Sequence, residues 1–178
     1  KRHLNLFDLG LAQQLILFLK YLEAEHDTSY GGDEMLFEIL HFNWFNIPAI
    51  EIAKLSIEVA TTRYGNEKYS IRRALIEKAA TPGKDLFTPS LPQGLAKAGG
   101  AIEALIAAVP NVTLQHLFEK VIREAGVLSL IMQSPDKHWL LQILTGLFNF
   151  IKEETRRNPK LTLRGFIQLI SLMEKEGI

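Results

Sequence analysis

Three short stretches concentrate the residue types that could do chemistry. EAEHDTSYGGDE at 23–34 gathers Glu23, Glu25, His26, Asp27, Asp33 and Glu34, donors of the kind that hold a hard cation. Its spacing is not that of a calcium loop, and the competing reading is a solvated junction between two helices. KEETRRNPKLTLR at 152–164 places Lys152, Arg156, Arg157, Lys160 and Arg164 around a helix end, where the dipole favours cations and a phosphate could be met. A second basic cluster, Arg72, Arg73 and Lys78 in SIRRALIEK, lies opposite isoleucine and leucine. A helix this short can pack through its apolar side and leave the arginines free for an anionic partner. HFNWFNIP at 41–48 joins three aromatics to a histidine and two asparagines. It reads either as a stacking or pocket wall or as a wedge that fixes the angle between two helices, and large aromatics supply buried area more often than stacking platforms.

The motifs of the familiar catalytic machines are missing. There is no GxxxxGK[ST] phosphate loop, GxGxxG turn, HExxH zinc helix or GxSxG elbow. The histidines at 3, 26, 41, 116 and 138 show no i,i+3 or i,i+4 pairing that would aim two imidazoles at one metal. No cysteine occurs, which excludes disulfides, thiolate metal sites and a cysteine nucleophile and fits a reducing, cytoplasmic setting. The 20 basic and 20 acidic residues balance, so any contact with nucleic acid must be local.

The elements that must position these residues are helical throughout. In LGLAQQLILFLKYLEAE at 9–25 apolar residues fall at 11, 15, 18 and 22 and at 12, 16 and 19, a wide stripe that predicts a helix inside a bundle. HDTSYGG breaks it, and a second helix is expected from about Asp33. Pro48 suits the first turn of a third, PAIEIAKLSIEVATTRY. SIRRALIEKAA is a short amphipathic helix. LAKAGGAIEALIAAV, TLQHLFEKVIREAG with Gly126 as C-cap, and VLSLIMQ follow after a break. Ser134-Pro135-Asp136 starts a long helix running to about Arg157, and Thr162 caps a last one, LRGFIQLISLMEKEG. No alternating strand or fixed repeat is visible, so the expected class is all-α, an irregular bundle of eight or nine helices.

The best internal boundary is TPGKDLFTPSLPQG, with three prolines and two glycines. It divides an N-terminal half, 1–80, with a helix-turn-helix at 33–63, from a C-terminal half, 95–178, across a connector at 81–94. All of it reads as one domain. The apolar runs are far shorter than the ~20 residues that span a bilayer, so no membrane is expected. The opening KRHLNLFD lacks a methionine and MEKEGI closes within a helical pattern, which suggests a segment of a longer chain.

The order of these elements resembles the 2B accessory subdomain of superfamily I DNA helicases of the UvrD, PcrA and Rep type, including the AddA/RecB-like helicase-nucleases. The matching stretches are LFLKYLEAEHD, the TSYGG loop, MLFEILHF, the turn FNIP and AIEIAKL. Further along they are AIEALIAAV, LQHLFEKVIREAGVLSLI, HWLLQILTGLFNFIKEE and LTLRGFIQLISLM. The resemblance implies an insertion-type domain of an ATP-dependent helicase of DNA repair or recombination, touching duplex DNA and regulating unwinding. The motor domains of the parent chain would be its partners, and ATP and Mg would bind there, with no cofactor and no catalytic residue in this segment. In the family a Gly-Ile-Gly turn brings backbone N–H groups to duplex phosphates. Ile47 matches that turn, while Asn46 and Pro48 replace its glycines. The candidate DNA contacts are therefore Asn46, Ile47 and Ala49, joined by Arg72, Arg73, Arg156, Arg157 and Lys160 from the basic clusters. The alternative is a free-standing α-helical protein-interaction scaffold; an enzyme or receptor using HFNWF as a pocket wall is a third reading.

Overall fold

The computed structural model describes residues 5–64, 67–80 and 91–177. Among these the chain forms nine α-helices: α1 Gly10–Asp27, α2 Asp33–Leu40, α3 Ala49–Thr61, α4 Ile71–Ala80, α5 Gln93–Ala108, α6 Leu114–Glu124, α7 Val127–Gln133, α8 Lys137–Arg157 and α9 Leu163–Glu176. A single 3-10 turn at Leu6–Asp8 precedes them. Two residues each at Arg63–Tyr64 and Glu67–Lys68 pair antiparallel after α3, too few to build a sheet. The fold is all-α, as the periodicity predicts.

The wide stripe on α1 makes it the hub. Leu15, Phe18, Leu19, Tyr21 and Leu22 are all fully buried, which only a helix covered on more than one side achieves. Its neighbours are α2 and α5 on the one hand and α8 and α9 on the other, so the two halves of the chain share this helix and one continuous core. The other helices bury single stripes, for instance Leu114, Leu117, Phe118, Val121 and Ile122 on α6.

Caps set the helix starts. Thr162 Oγ1 accepts from Gly165 N at 3.2 Å at the head of α9, and Thr113 does the same for His116 N at 3.3 Å on α6. Gly126 takes a left-handed φ of 83° between α6 and α7. Two starts fall later than expected. The Ser134 hydroxyl accepts from Asp136 N at 3.1 Å and its carbonyl from Lys137 N at 3.3 Å, so Ser134-Pro135-Asp136 forms a turn with Asp136 as N-cap. Pro48 likewise is the N-cap of α3, because its ψ of 133° is extended. The connector expected over 81–94 is shorter at its end, since Gln93 and Gly94 already belong to α5; residues 81–90 lie outside the described residues.

A candidate nucleic-acid interface and the polar network beside it

The acidic stretch 23–34 closes on itself around one arginine. Glu25, on the last turns of α1, is 1 % exposed, and its carboxylate accepts three charge-assisted or backbone bonds. They come from Tyr30 N at 2.8 Å, Gly32 N at 3.1 Å and Arg72 Nη1 at 2.8 Å. Arg72, on α4, turns its other edge to Glu103 of α5, with Nε at 2.6 Å and Nη2 at 3.1 Å from the two carboxylate oxygens. Glu103 first, and then Glu25, hold the guanidinium charged beyond the ordinary arginine range against the opposing effect of burial. The Tyr30 ring lies 4.8 Å from the Arg72 guanidinium carbon and 5.0 Å from that of Arg73. Asp33, in the first turn of α2, reaches across to cap α4, accepting from Ile71 N at 3.1 and 2.9 Å.

This arrangement fixes a costly loop. Tyr30 has a φ of 65°, which L residues other than Asn and Asp seldom adopt. Gly32 passes so close to Tyr21 that a Cβ there would sit 2.8 Å from Tyr21 Cδ2. The Tyr21 hydroxyl is buried beside Glu25 without a hydrogen-bond partner among the described residues, and burial, reinforced by the Glu25 charge, pushes it well above the ordinary tyrosine range.

Two expectations change as a result. The 23–34 stretch is the junction between α1 and α2, exposed over residues 26–31 but anchored by the buried Glu25 and Gly32, and among the described residues no group of three or more His, Asp or Glu is arranged to hold a metal ion. The cation those carboxylates face is a side chain of the same protein. Nor does α4 leave its arginines free: Arg72 is clamped between two carboxylates, and both guanidinium groups face Tyr30. The physical reason is the packing of α4 against both α2 and α5, which puts its polar edge over the end of α1.

The basic cluster at 152–164 is also largely neutralised from within. Arg156 bonds Glu153 at 3.1 Å and Arg157 bonds Glu154 at 2.8 Å along α8. Arg164 pairs with Glu23 at 2.8 Å and with Asp27, and these two carboxylates, Glu23 foremost, raise its pKa. Lys152 and Lys160 are exposed and have no ion pair among the described residues.

HFNWFNIP is a wedge. Phe42, Trp44 and Phe45 are all buried, and Trp44 meets Phe18 of α1 edge-on at 5.7 Å and Phe42 at 4.9 Å. These aromatics therefore belong to the core, with Trp44 against α1 and the backbone of Phe45 and Trp44 close to Gly94 of α5 and to Gly126. Phe42 also lines an open cleft of 660 Å³ whose polar rim includes Lys20 bonded to Glu174.

The residues that follow point outward. Asn46 is exposed with a φ of 49°, the left-handed conformation in which glycine is at ease and asparagine is tolerated. Ile47 is half-buried, and Pro48, Ala49 and Ile50 are exposed. The Pro48 carbonyl accepts from Glu51 N at 3.0 Å and Ile52 N at 3.4 Å. The N–H groups of Ala49 and Ile50, at the open end of α3, find no acceptor among the described residues. Asn46, Ile47 and Ala49 thus share one surface turn. Arg72 and Arg73 lie on α4, which packs on α3; Arg156, Arg157 and Lys160 sit at the end of α8, which packs on α1, α6 and α7.

Sequence reasoning missed Glu103 and Tyr30 as members of the network. No family model matches the chain, and comparison with characterised proteins finds no match to it.

Proposed function

We propose that this domain is an accessory, 2B-like module of a superfamily I DNA helicase or helicase-nuclease, which steadies duplex DNA through a weak, sequence-independent contact at the Asn46–Ala49 turn. The observation that carries this reading is the backbone of Asn46. Its φ of 49° lies in the left-handed region that favours glycine, at the position where the resembled family has the first glycine of its Gly-Ile-Gly turn. Behind the bend, the first N–H groups of a 13-residue helix, on the exposed residues Ala49 and Ile50, have no acceptor among the described residues, a donor set suited to a phosphate oxygen. Motor domains in the same parent chain would supply ATP hydrolysis, and repair or recombination would be the setting.

Ala49→Pro isolates the donor. Proline is accommodated at the first helical position, and Pro48 already has the extended ψ of 133° that a following proline requires. The substitution removes one N–H and little else. Fluorescence anisotropy with a short duplex at two salt concentrations should show binding weakened several-fold in the variant with its melting temperature unchanged. Unaltered affinity would refute the turn as the contact.

A protein-docking role is favoured by a different observation. Ile50 and Ile57, one heptad apart on the outer face of α3, are 60 % and 64 % exposed. In the accessory-domain reading this face meets a motor domain; in the scaffold reading it meets a separate protein. Flanking motor sequences in the parent chain separate the two.

A further inference from the structure

A shallow apolar groove of 320 Å³ runs between α6, α7 and α8, floored by Phe118, Ile122, Leu144 and Phe148. Leu128, on its α7 wall, is 41 % exposed, and Met132 one turn further along α7 is 56 % exposed. The groove is distinct from the Asn46 turn and owes nothing to the DNA reading. Two opposite charges of α6 line it, Glu119 and Arg123. Both are exposed, and neither makes an ion pair among the described residues, although the neighbouring Lys120 and Glu124, at the same spacing, are bonded at 2.8 Å.

We infer that this face binds a second copy of the same chain, with α6 antiparallel to its counterpart across a two-fold axis. An isologous interface must be complementary to itself, because each residue i that meets j has its mirror contact. Opposite charges four residues apart on one helix meet that condition. In the antiparallel pair Glu119 faces Arg123 of the second copy and Arg123 faces its Glu119, so both unpaired charges are matched at once. The apolar floor and the Leu128–Met132 ridge lie beside them and supply surface for burial. A partner with a uniformly charged helix would match only one of the two. The remaining rim is near neutral, so the dimer rests on apolar burial, with the charges setting register and orientation.

Charge exchange tests this without touching the core. Sedimentation velocity on the wild-type chain up to about 100 µM should show a reversible monomer–dimer equilibrium. Glu119→Arg places two arginine pairs face to face and Arg123→Glu two glutamate pairs; each should weaken dimerisation by about tenfold or more. The double exchange, Glu119→Arg with Arg123→Glu, should restore it. So should an equimolar mixture of the two single variants, because both cross-pairs are then attractive in the mixed dimer. Circular dichroism melts confirm that all variants fold. A wild-type chain that stays monomeric overturns the inference. So do single variants that dimerise like wild type, or a mixture that fails to associate.

Discussion

Removing the Glu25 carboxylate tests the network most directly. In Glu25→Ala, the buried Gly32 N–H and the part-buried Tyr30 N–H lose their acceptor, and Arg72 keeps only Glu103. A buried N–H left unpaired costs about 1–3 kcal/mol. A broken buried ion pair costs about 3–5 kcal/mol when nothing replaces it, and less here because Glu103 remains. The sum is about 4 kcal/mol. With an unfolding entropy near ~2.1 cal/mol/K per residue, this chain should then melt about 10 °C lower. Glu25→Gln keeps the shape but turns an amide NH2 toward a site where every partner is a donor, so it should lose about half to two-thirds as much. Glu153→Gln breaks an exposed pair on α8 and serves as the control, with an expected change within about 1 °C. Thermal melts followed by circular dichroism read all three. Glu25 variants that melt with the control would refute the carboxylate as the anchor of the 28–32 loop.

Tyr21 and Gly32 give two companion tests. The folded chain holds the Tyr21 proton well above pH 10.0, the ordinary tyrosine value, chiefly through burial and next through Glu25. The unfolded chain releases it near that value, so above it the unfolded state binds fewer protons and stability falls as pH rises. Tyr21→Phe should flatten the alkaline limb of a denaturation-versus-pH curve and, by removing an unpartnered buried hydroxyl, match or exceed wild-type stability at pH 7. A steep alkaline limb surviving in the variant, or a large loss at neutral pH, would count against this assignment. Gly32→Ala drives a Cβ to within 2.8 Å of a buried ring and 3.1 Å of Glu25 Oε1, and should cost about 1–3 kcal/mol by chemical denaturation; a neutral substitution would show that the loop yields.

Much of the fold was legible because apolar spacing is a local signal. VLSLIMQ was expected at 127–133 and forms α7 Val127–Gln133, and the Arg157 end of α8 and the Thr162 cap were read from a few adjacent residues. Starts were less clear, because the Ser134 hydroxyl can cap a turn as readily as a helix. The polar network was not legible at all. Arg72 lies 47 residues from Glu25 and 31 from Glu103, and nothing in SIRRALIEK says that its first arginine will be drawn inward when α4 lodges between α2 and α5. The same long-range packing turned EAEHDTSYGGDE from a candidate cation site into the holder of an internal cation.

That inversion bears on how this chain could meet DNA. The end of α1 carries Glu23, Glu25 and Asp27, and between them these residues neutralise Arg72 and Arg164, one from each basic cluster. Arg156 and Arg157 spend their charge on their own helix. The zero net charge of the sequence is thus realised as local pairs rather than as separated patches, which leaves no extended positive surface from these residues. What the Asn46 turn offers a phosphate is geometry: a left-handed bend and the open end of a helix, whose dipole acts only within its first turn. A contact made this way displaces few counterions. If about two phosphates are engaged, the affinity should fall with salt at a logarithmic slope of about −2, against about −5 or steeper for six neutralised by lysine and arginine. The slope therefore distinguishes a backbone cradle at residues 46–49 from a basic face at 152–164, whatever the absolute affinity proves to be.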